Sequence, residues 1–326
     1  MKILQIYPNI LHSVNGIGTY CNALVSLFKD DPDIDMVALK ECKVVQMRLV
    51  NNAFSWSDLW RRVKDSDADI VHVNGYTSFV SFQAFVVALM QKKKVVYTAH
   101  WHPFKMLSRP GLAQSFFTVF LLPMIRRSNR IVTINNEDTA FFQKYSLPVQ
   151  QIPHWSRFGD KSQNSTAKKP NMILFVGRFN ADNKGFDYLY SLPEGKYDIH
   201  CVGRGDVNPR SDMTLHTDIP TEELQKLYSE ASLVVIPSKY EAFSYVALEA
   251  FFYGTPVVMS DRVRIADYLA DCSGYSIFPY GNKNAFVSAV ESTIGIHVDT
   301  DKILSIFSPI AIVNDYRQLY KSVLEG

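Results

Sequence analysis

Residues 232–258 read SLVVIPSKYEAFSYVALEAFFYGTPVV, and this stretch decides the fold. It contains a β-branched apolar run, a polar loop, an apolar helical segment closed by Gly254 and a second β-branched run. Strands that alternate with helices in this way are typical of parallel βαβ units, whose sheet is covered on both faces. The stretch therefore predicts part of a doubly wound α/β domain.

The same alternation extends in both directions along the chain. KILQIY, DIVHVN and KVVYTAH lie upstream with helical patterns between them, and MILFVG and YDIHCVG open the second half. The polar stretch GDKSQNSTAKKP separates the two halves and is typical of a linker. We predict two Rossmann-like doubly wound domains, 1–158 and 171–308, a linker at 159–170 and a terminal helix at about 309–326.

Composition narrows the class of protein. The chain has 326 residues, 47% of them hydrophobic and 20% charged, and no apolar run long enough to span a membrane, so we expect two soluble domains in the cytoplasm. Cys21, Cys42, Cys201 and Cys272 lie far apart, which indicates neither a zinc knuckle nor a disulfide framework. We expect them to be reduced and buried.

Charge is distributed unevenly along the chain. The formal net charge is only +2, which argues against a nucleic-acid partner, yet no Asp or Glu occurs from Ile70 to Asn136. The basic residues of that stretch are Lys92, Lys93, Lys94, Lys105, Arg109, Arg126, Arg127 and Arg130. Such a sector favours an anionic partner such as a membrane surface or a phosphorylated lipid, although a chance cluster of solvated side chains remains an alternative.

Two further groups bear on a membrane. The segment from Phe116 to Arg126, FFTVFLLPMIR, is too apolar for a fully solvated helix, so it either lies on a membrane or is buried in the core. Trp56 and Trp60 with the adjacent Arg61 and Arg62 form an aromatic and basic group suited to the level of lipid headgroups.

Two carboxylates carry the chemistry of the opening stretch. Glu241 lies in the predicted loop, and Glu249 lies in the predicted helix among apolar residues, where a charge is costly unless it is paired. Ribose hydroxyls are suitable partners, and the N–H groups of Phe243, Ser244 and Tyr245 at the helix start can receive a phosphate. A helix with one exposed glutamate is the alternative.

Together with six other segments, this stretch resembles family 4 of the retaining glycosyltransferases, which have two Rossmann-like domains facing across a cleft in the GT-B arrangement. The other segments are NGIGTY, TAHWHPF, RIVTIN, VGRFNADNKGFDYL, CVGRGD and LYSEASLVVIPS. The resemblance covers nearly the whole chain. It implies transfer of a sugar from a nucleotide-sugar to an acceptor hydroxyl with retention of configuration, generally without a metal, and a C-terminal helix that packs back onto the first domain.

The resemblance also implies roles for particular residues. Arg178 and Lys184 look like the pair that neutralises the donor diphosphate, since two preorganised cations stabilise the charge that grows as the sugar–phosphate bond breaks. Glu241 would contact hydroxyls of the transferred sugar, and Glu249 would hold the ribose. The alternative for Arg178 and Lys184 is a pair of surface basic residues beside a loop.

Further donor contacts are expected from Gly16 in the loop NGIG and from Gly177, with Phe243, Ser244 and Tyr245 at the helix start. Glycine lets the backbone approach an anion closely. Asn15 stands where many family members carry a second glycine, and Ser244 replaces a frequent glycine, so the details of phosphate and sugar contact can differ here.

His100 occupies the position of a family histidine close to the reacting sugar, where it can hydrogen-bond a sugar or acceptor hydroxyl. A purely structural histidine is the alternative. The HWH pair with His102 has no nearby carboxylate, and the Asp-x-Asp pairs of the first domain lie where solvated carboxylates are common, so no metal and no other cofactor is expected.

These observations predict a retaining glycosyltransferase that moves a hexose or N-acetylhexosamine, with a UDP-sugar favoured, to a hydroxyl of a lipid-linked or cell-surface glycan in polysaccharide or lipopolysaccharide biosynthesis. Attack on the face that the diphosphate leaves is expected, because the sequence offers no evident nucleophile. A cytoplasmic enzyme, peripheral on the inner face of the cell membrane, fits the basic sector. A GT-B nucleotide-sugar epimerase and a non-catalytic nucleotide-sugar-binding partner remain alternatives.

Overall fold

The computed structural model describes residues 1–7, 16–39, 42–47, 50–75, 79–100, 111, 114–115, 117–156 and 167–326. The chain divides into two compact units, the first comprising Met1–His154 and Ile310–Gly326 and the second Trp155–Pro309. Each unit has its own six-stranded parallel sheet, so the predicted α/β fold with two doubly wound sheets is confirmed. The predicted linker, 159–170, lies mostly outside the described residues.

The sheet of the first unit has the strand order β2-β1-β5-β6-β7-β8, and all its neighbouring strands are parallel. A separate antiparallel pair, β3 and β4, was not predicted from the sequence. The strands are β1 (Lys2–Ile6), β2 (Asp35–Ala38), β3 (Val44–Met47), β4 (Val50–Phe54), β5 (Ile70–Asn74), β6 (Lys94–Thr98), β7 (Arg130–Thr133) and β8 (Val149–Gln151).

Five labelled helices belong to this unit: α1 (Gly16–Leu27), α2 (Trp56–Asp65), α3 (Phe79–Met90), α4 (Leu122–Ile125) and α5 (Asn136–Gln143). Helix α3 is apolar on most sides and is correspondingly buried. The apolar segment predicted as one helix is a π-helical turn, Phe117–Leu121, followed by α4. It buries Leu122 and Ile125 in the core and leaves Val119 62% exposed.

The C-terminal helix, Pro309–Glu325, is part of the first unit from Ile310 onward. Its buried face contains Ile312, Tyr316, Leu319, Tyr320 and Val323. The hydroxyl of Tyr320 lies 2.8 Å from Nδ1 of His72 in the central strand β5. The last helix of the chain therefore completes the polar and apolar core of the first sheet.

The sheet of the second unit has the order β11-β10-β9-β12-β13-β14, again all parallel. Its strands are β9 (Met172–Val176), β10 (Asp198–Val202), β11 (Met213–His216), β12 (Leu233–Ile236), β13 (Val257–Ser260) and β14 (Tyr275–Phe278). Its helices are α6 (Thr221–Glu230), α7 (Tyr245–Phe252), α8 (Lys283–Thr293) and α9 (Thr300–Ile306). The opening stretch of the sequence analysis is thus β12, a loop, α7 and β13.

Two local features complete the second unit. After Gly185 the chain forms a short 3₁₀ segment, Phe186–Ser191. The N-cap position of α6 is Pro220, and no side-chain hydrogen bond caps this helix. Among the described residues no helix is both long and apolar enough to cross a membrane.

The cysteines were expected to be buried. This is confirmed for Cys21, Cys42 and Cys201, whereas Cys272 is half-buried; all four side chains are free thiols in the structure.

Candidate active site

Two loops at the carboxyl edge of the second sheet carry most of the predicted donor residues. One follows β9 and spans 177–185, and the other follows β12 and spans 237–244. Because β9 and β12 are neighbours, their loops emerge side by side at the edge where ligands bind in such sheets. The N–H of Lys239 donates to the carbonyl oxygen of Asn183 at 2.8 Å and joins the two loops.

Gly185 lets these loops approach closely. Its φ is +69°, and a Cβ there would lie 2.0 Å from the carbonyl oxygen of Pro237. Gly203, after β10, is equally constrained, since a Cβ would lie 1.9 Å from the carbonyl oxygen of Gly177. Only glycine permits such contacts, so both positions fix the backbone around the candidate site.

Lys184 and Glu241 form an ion pair at the centre of this arrangement. Nζ of Lys184 donates to Oε1 of Glu241 at 2.5 Å, and their side chains are 25% and 20% exposed. The hydroxyl of Ser238 donates to the same oxygen at 3.0 Å. The main chain of Glu241 is held on both sides, by the carbonyl of Arg262 at 3.1 Å and the N–H of Arg264 at 3.0 Å. Two predicted site residues are thus in direct contact.

Arg178 and Gly177 follow directly after β9. The Arg178 side chain is exposed and forms no ion pair within the described part of the chain, so its charge is available to an anion. A Cβ on Gly177 would lie 3.5 Å from Cδ of Lys184, so the lysine stem passes beside this glycine.

Phe243, Ser244 and Tyr245, the residues predicted at the start of α7, make capping and packing contacts within the second unit. The hydroxyl of Ser244 accepts the N–H of Ala247 at 3.3 Å and caps the helix. Phe243 is buried, with its ring 5.8 Å from that of Tyr245 and 5.4 Å from that of Phe307. Side-chain packing and capping therefore hold this helix terminus beside the Glu241 loop.

Glu249, one turn further along α7, is half-buried and held by a residue that the sequence analysis missed. The hydroxyl of Tyr228 in α6 donates to Oε2 of Glu249 at 2.8 Å. Tyr228 is almost fully buried, and its ring stacks on that of Tyr253 with centroids 6.1 Å apart. Burial raises the pKa of Tyr253, and the Glu249 charge adds to the effect. The motif LYSE contained Tyr228, but nothing in its spacing linked it to Glu249.

Lys168, close to Glu249 through its contacts with Tyr228 and Tyr253, was also missed by the sequence analysis. Its Nζ donates to the carbonyl of Tyr253 at 2.8 Å and to the hydroxyl of Thr255 at 2.5 Å, and the carbonyl of Tyr228 lies 3.4 Å away. Burial lowers the pKa of this lysine to about 8. Its ammonium thereby links α6, through Tyr228, to the residues that follow α7, Tyr253 and Thr255.

In the first unit, His100 follows β6 with a φ of +61°, a conformation that is rare for residues other than glycine and that clusters at functional sites. The side chain is 8% exposed, and its Nε2 lies 2.9 Å from Oδ1 of Asn74. Burial lowers its pKa to about 3. The rings of Tyr20 and His154 pack nearby, with centroids 4.5 Å and 6.0 Å away.

Some predicted features lie outside the described residues. These are His102 and Asn15; the rest of NGIG was expected in a loop, but Gly16, Ile17 and Gly18 form the first turn of α1. Among the residues that the structure does describe, no three His, Cys, Asp or Glu side chains form a group that could hold a metal ion.

The basic sector lies away from His100. Lys105 and Arg109 fall outside the described residues, and the remaining six basic residues precede or begin β6 and β7. His100 follows the other end of the five-residue strand β6, about 16 Å away at about 3.3 Å per residue. We call the group at the amino edge, with the exposed Met90, the amino-edge basic surface: Met90, Lys92, Lys93, Lys94, Arg126, Arg127 and Arg130.

The fold and the site define a class. Two parallel doubly wound sheets of the GT-B type are the fold of glycosyltransferases that use nucleotide-sugars. The family profile "Glycosyltransferase Family 4" matches residues 33–160, and "Glycosyl transferases group 1" matches residues 170–295. The chain belongs to this group 1, or family 4, of glycosyltransferases, a retaining hexosyltransferase class.

The chain is also similar to individual proteins. An uncharacterized 41.2 kDa protein in the cps region of Klebsiella pneumoniae is 23% identical over 318 residues, which cover 86% of this chain and 87% of the relative. The structure is similar to sucrose-phosphate synthase from Thermosynechococcus elongatus, with a TM-score of 0.72, 17% identity and 99% of each chain covered. It is also similar to Anabaena HepE in complex with UDP and glucose, with a TM-score of 0.68, 12% identity, and 99% and 100% coverage.

Proposed function

We propose that this enzyme moves a hexose or N-acetylhexosamine from a UDP-sugar to a hydroxyl of a lipid-linked or cell-surface glycan, with retention and without a metal. The observation that carries the proposal is the 2.5 Å contact of Lys184 with Glu241 beside Arg178 at the carboxyl edge of the sheet. An ammonium suited to a diphosphate and a carboxylate suited to sugar hydroxyls are adjacent there, as transfer from a nucleotide-sugar requires.

Charge development explains the roles of the two cations. When the bond between the anomeric carbon and the diphosphate oxygen breaks, negative charge grows on the leaving group. Arg178 and Lys184 stabilise that charge more strongly than they stabilise the intact donor, which lowers the barrier. The acceptor oxygen then bonds to the anomeric carbon on the same face, and its proton passes to the departing phosphate oxygen.

Glu241 has two functions in this scheme. Before the donor binds, it keeps the Lys184 ammonium paired in a half-buried position. With the donor present, its carboxylate accepts hydrogen bonds from hydroxyls of the transferred sugar while Lys184 turns to the diphosphate. Ser238 and the two main-chain bonds keep the carboxylate in place during the exchange.

Glu249 holds the ribose hydroxyls of the nucleotide, positioned by Tyr228, and the start of α7 receives phosphate oxygens. UDP is supported as the nucleotide by the similar Anabaena protein, whose structure contains UDP and glucose. Gly16 in the first unit approaches the phosphates, and His100 hydrogen-bonds a substrate hydroxyl. The cps-region relative supports a place in polysaccharide biosynthesis.

A thermal-shift panel with UDP, GDP and ADP tests the nucleotide. A ligand at a hundred times its dissociation constant stabilises its site by about 2.7 kcal/mol, which is readily measured. We expect UDP to stabilise the second unit and the other two nucleotides to have little effect; a preference for GDP or ADP would replace UDP in the proposal.

Turnover tests the site. Release of UDP from UDP-glucose and UDP-N-acetylglucosamine should fall about 100- to 1000-fold in Lys184→Met, the range measured when one donor to a developing anion is removed. Lys239→Met is the matched control, since it removes an exposed lysine from the adjacent loop without changing the site. Equal activity in the two variants would refute the assignment of Lys184.

We propose also that the amino-edge basic surface binds anionic membrane, with the enzyme peripheral on the cytoplasmic face. Within the described part of the chain none of its six basic side chains forms an ion pair, and Met90 is 65% exposed among them. The neighbouring edge of β5 is acidic, with Asp65, Asp67 and Asp69, so the attraction is confined to the side of β6 and β7.

Sedimentation with vesicles that contain phosphatidylglycerol tests this surface. Each basic residue near an anionic membrane contributes about 1 kcal/mol, so Arg126→Glu with Arg127→Glu should weaken binding more than tenfold. Lys29→Glu with Lys144→Glu changes the net charge equally at exposed positions of the same unit and should weaken binding much less. Equal losses, or indifference to anionic lipid and to salt, would remove the membrane proposal.

A further inference from the structure

A chain of buried polar side chains crosses the sheet of the first unit. Gln5 in β1, His72 and Asn74 in β5, and Tyr320 in the C-terminal helix are joined by hydrogen bonds, and His100 lies at one end of the chain. All four of these residues are 0% exposed, and the other central residues of the sheet are mainly apolar. Such a network is costly unless every donor meets an acceptor, so the positions of its hydrogens can be worked out.

The carbonyl of His72 fixes the orientation of Asn74. The Asn74 side-chain nitrogen lies 3.3 Å from this carbonyl oxygen and 2.7 Å from Oε1 of Gln5. A carbonyl oxygen can only accept, so the NH₂ group of Asn74 faces it. The amide oxygen of Asn74 therefore faces His100, with 2.9 Å between Oδ1 and Nε2.

An amide oxygen can only accept, so Nε2 of His100 carries the hydrogen in this contact. Burial keeps the ring neutral, with a pKa of about 3, and a neutral ring protonated at Nε2 has a bare Nδ1. Within the part of the chain that the structure describes, Nδ1 of His100 has no hydrogen-bond partner. The residue as a whole is 8% exposed.

The rest of the network is consistent with this assignment. Because Oε1 of Gln5 accepts from Asn74, its NH₂ group faces Nδ1 of His72 at 3.0 Å. Nδ1 of His72 therefore accepts, and its Nε2–H donates to the hydroxyl of Thr98 at 2.7 Å. The hydroxyl of Tyr320 also lies 2.8 Å from Nδ1 of His72 and 3.4 Å from the Gln5 amide nitrogen, so Nδ1 accepts from either group with the same tautomer of His72.

We propose that Asn74 is a positioning residue that holds His100 in the Nε2–H form and so makes Nδ1 an acceptor for a substrate hydroxyl. His100 then orients that hydroxyl by receiving its hydrogen and does not act as a proton donor. The inference rests on the proposed function for the contact between His100 and substrate, whereas the tautomer itself rests only on the hydrogen bonds above.

Nitrogen-15 NMR of the full-length protein labelled in histidine tests the tautomer directly, with His72→Gln and His100→Gln used for assignment. At pH 7 we expect the His100 ring to be neutral, protonated at Nε2 and bare at Nδ1. A hydrogen on Nδ1, or a charged ring, would overturn the proposal, and this readout does not depend on activity.

The pH profile of Asn74→Asp tests the consequence. A carboxylate still accepts from Nε2–H but favours the charged ring, in which Nδ1 is protonated and can no longer accept. The other titratable groups that face the ring are Tyr20 from α1, His72 from β5 and His154 after β8.

For UDP release from UDP-glucose, kcat/KM of Asn74→Asp should fall about tenfold for each pH unit below the new pKa of His100 and recover above it. Asn74→Leu should lose activity equally at every pH. A pH-independent loss in the aspartate variant would refute the acceptor role even if NMR supports the tautomer. A wild-type enzyme with the expected tautomer but without turnover of UDP-sugars would instead contradict the proposed function.

Discussion

Replacing Gly185 by alanine tests whether the contact between the two donor-site loops is as close as the structure has it. The new Cβ would lie 2.0 Å from the Pro237 carbonyl oxygen, more than an ångström short of the 3.4 Å at which ordinary contact begins. The left-handed φ of +69° adds about 1–2 kcal/mol for any residue with a Cβ. Relief of the overlap adds about 1–3 kcal/mol.

The sum is a loss of about 2–5 kcal/mol in the unfolding free energy of the second unit. At about 2–4 °C per kcal/mol for a unit of this size, Tm should fall by about 4–20 °C. Separation of the loops by about 1 Å also displaces Lys184 from Glu241, and a misplacement of that size can cost about 100-fold in turnover. Differential scanning calorimetry and UDP release measure the two effects.

Gly195 provides the matched control. Its φ is +73°, but a Cβ there would meet nothing within 4 Å. Gly195→Ala therefore carries the backbone strain alone, about 1–2 kcal/mol, and should leave turnover unchanged. If both variants lost the same stability and kept the same activity, the close contact of Gly185 with Pro237 would be disproved.

Three other results are expected. His72 and His100 both have a pKa of about 3 in the folded protein, below the 6.5 of a histidine in the unfolded chain. The unfolded chain therefore binds more protons as the pH drops below 6.5, and the folded state loses stability. At pH 5 each of these histidines lowers the free energy of unfolding by about 2 kcal/mol. Urea unfolding at pH 7.5 and at pH 5 measures this loss of stability. If His72→Gln lost as much stability between the two pH values as the wild-type protein, the prediction would be contradicted. Tyr228→Phe removes one hydrogen bond to Glu249 and should raise KM for the donor about fivefold with little change in kcat. An unchanged KM would mean that Tyr228 does not position Glu249 for donor binding. A double-mutant cycle of Lys184→Met and Glu241→Gln, followed by unfolding, should give a coupling of about 0.5–3 kcal/mol, whereas additive losses would mean that the ion pair does not form.

Much of the architecture follows from local sequence. The alternation of β-branched runs with helical patterns predicted two parallel sheets, because strands buried on both faces have few polar residues and need crossover helices. The order TEELQKLYSE, SLVVIP and SYVALEAFF corresponds to α6, β12 and α7. The β3–β4 pair was missed because Arg48 and Leu49, between its strands, carry none of the Gly, Asn or Asp signals of a tight turn.

The residues of the candidate site could be proposed from the sequence, but the contacts between them could not. The resemblance selected Lys184 and Glu241, yet they are 57 residues apart, and only the adjacency of β9 and β12 brings their loops together. Tyr228, Lys168 and Asn74 act through partners on other elements, so no local pattern marks them. Their positions depend on how helices and strands pack, which spacing along the chain does not encode.

The return of the C-terminal helix to the first unit has a consequence for biosynthesis. The last 17 residues supply Tyr316 and Tyr320, which lie against the first sheet, so that sheet stays incomplete while the ribosome translates the second unit. At about 5–20 residues per second, the nascent strands wait roughly 10–35 s after β8 is made. The second unit, which is contiguous, can finish first. Chaperones that shield apolar surface should therefore engage the amino-terminal portion of this nascent chain, and tags that delay release of its last helix should lower the yield of folded enzyme.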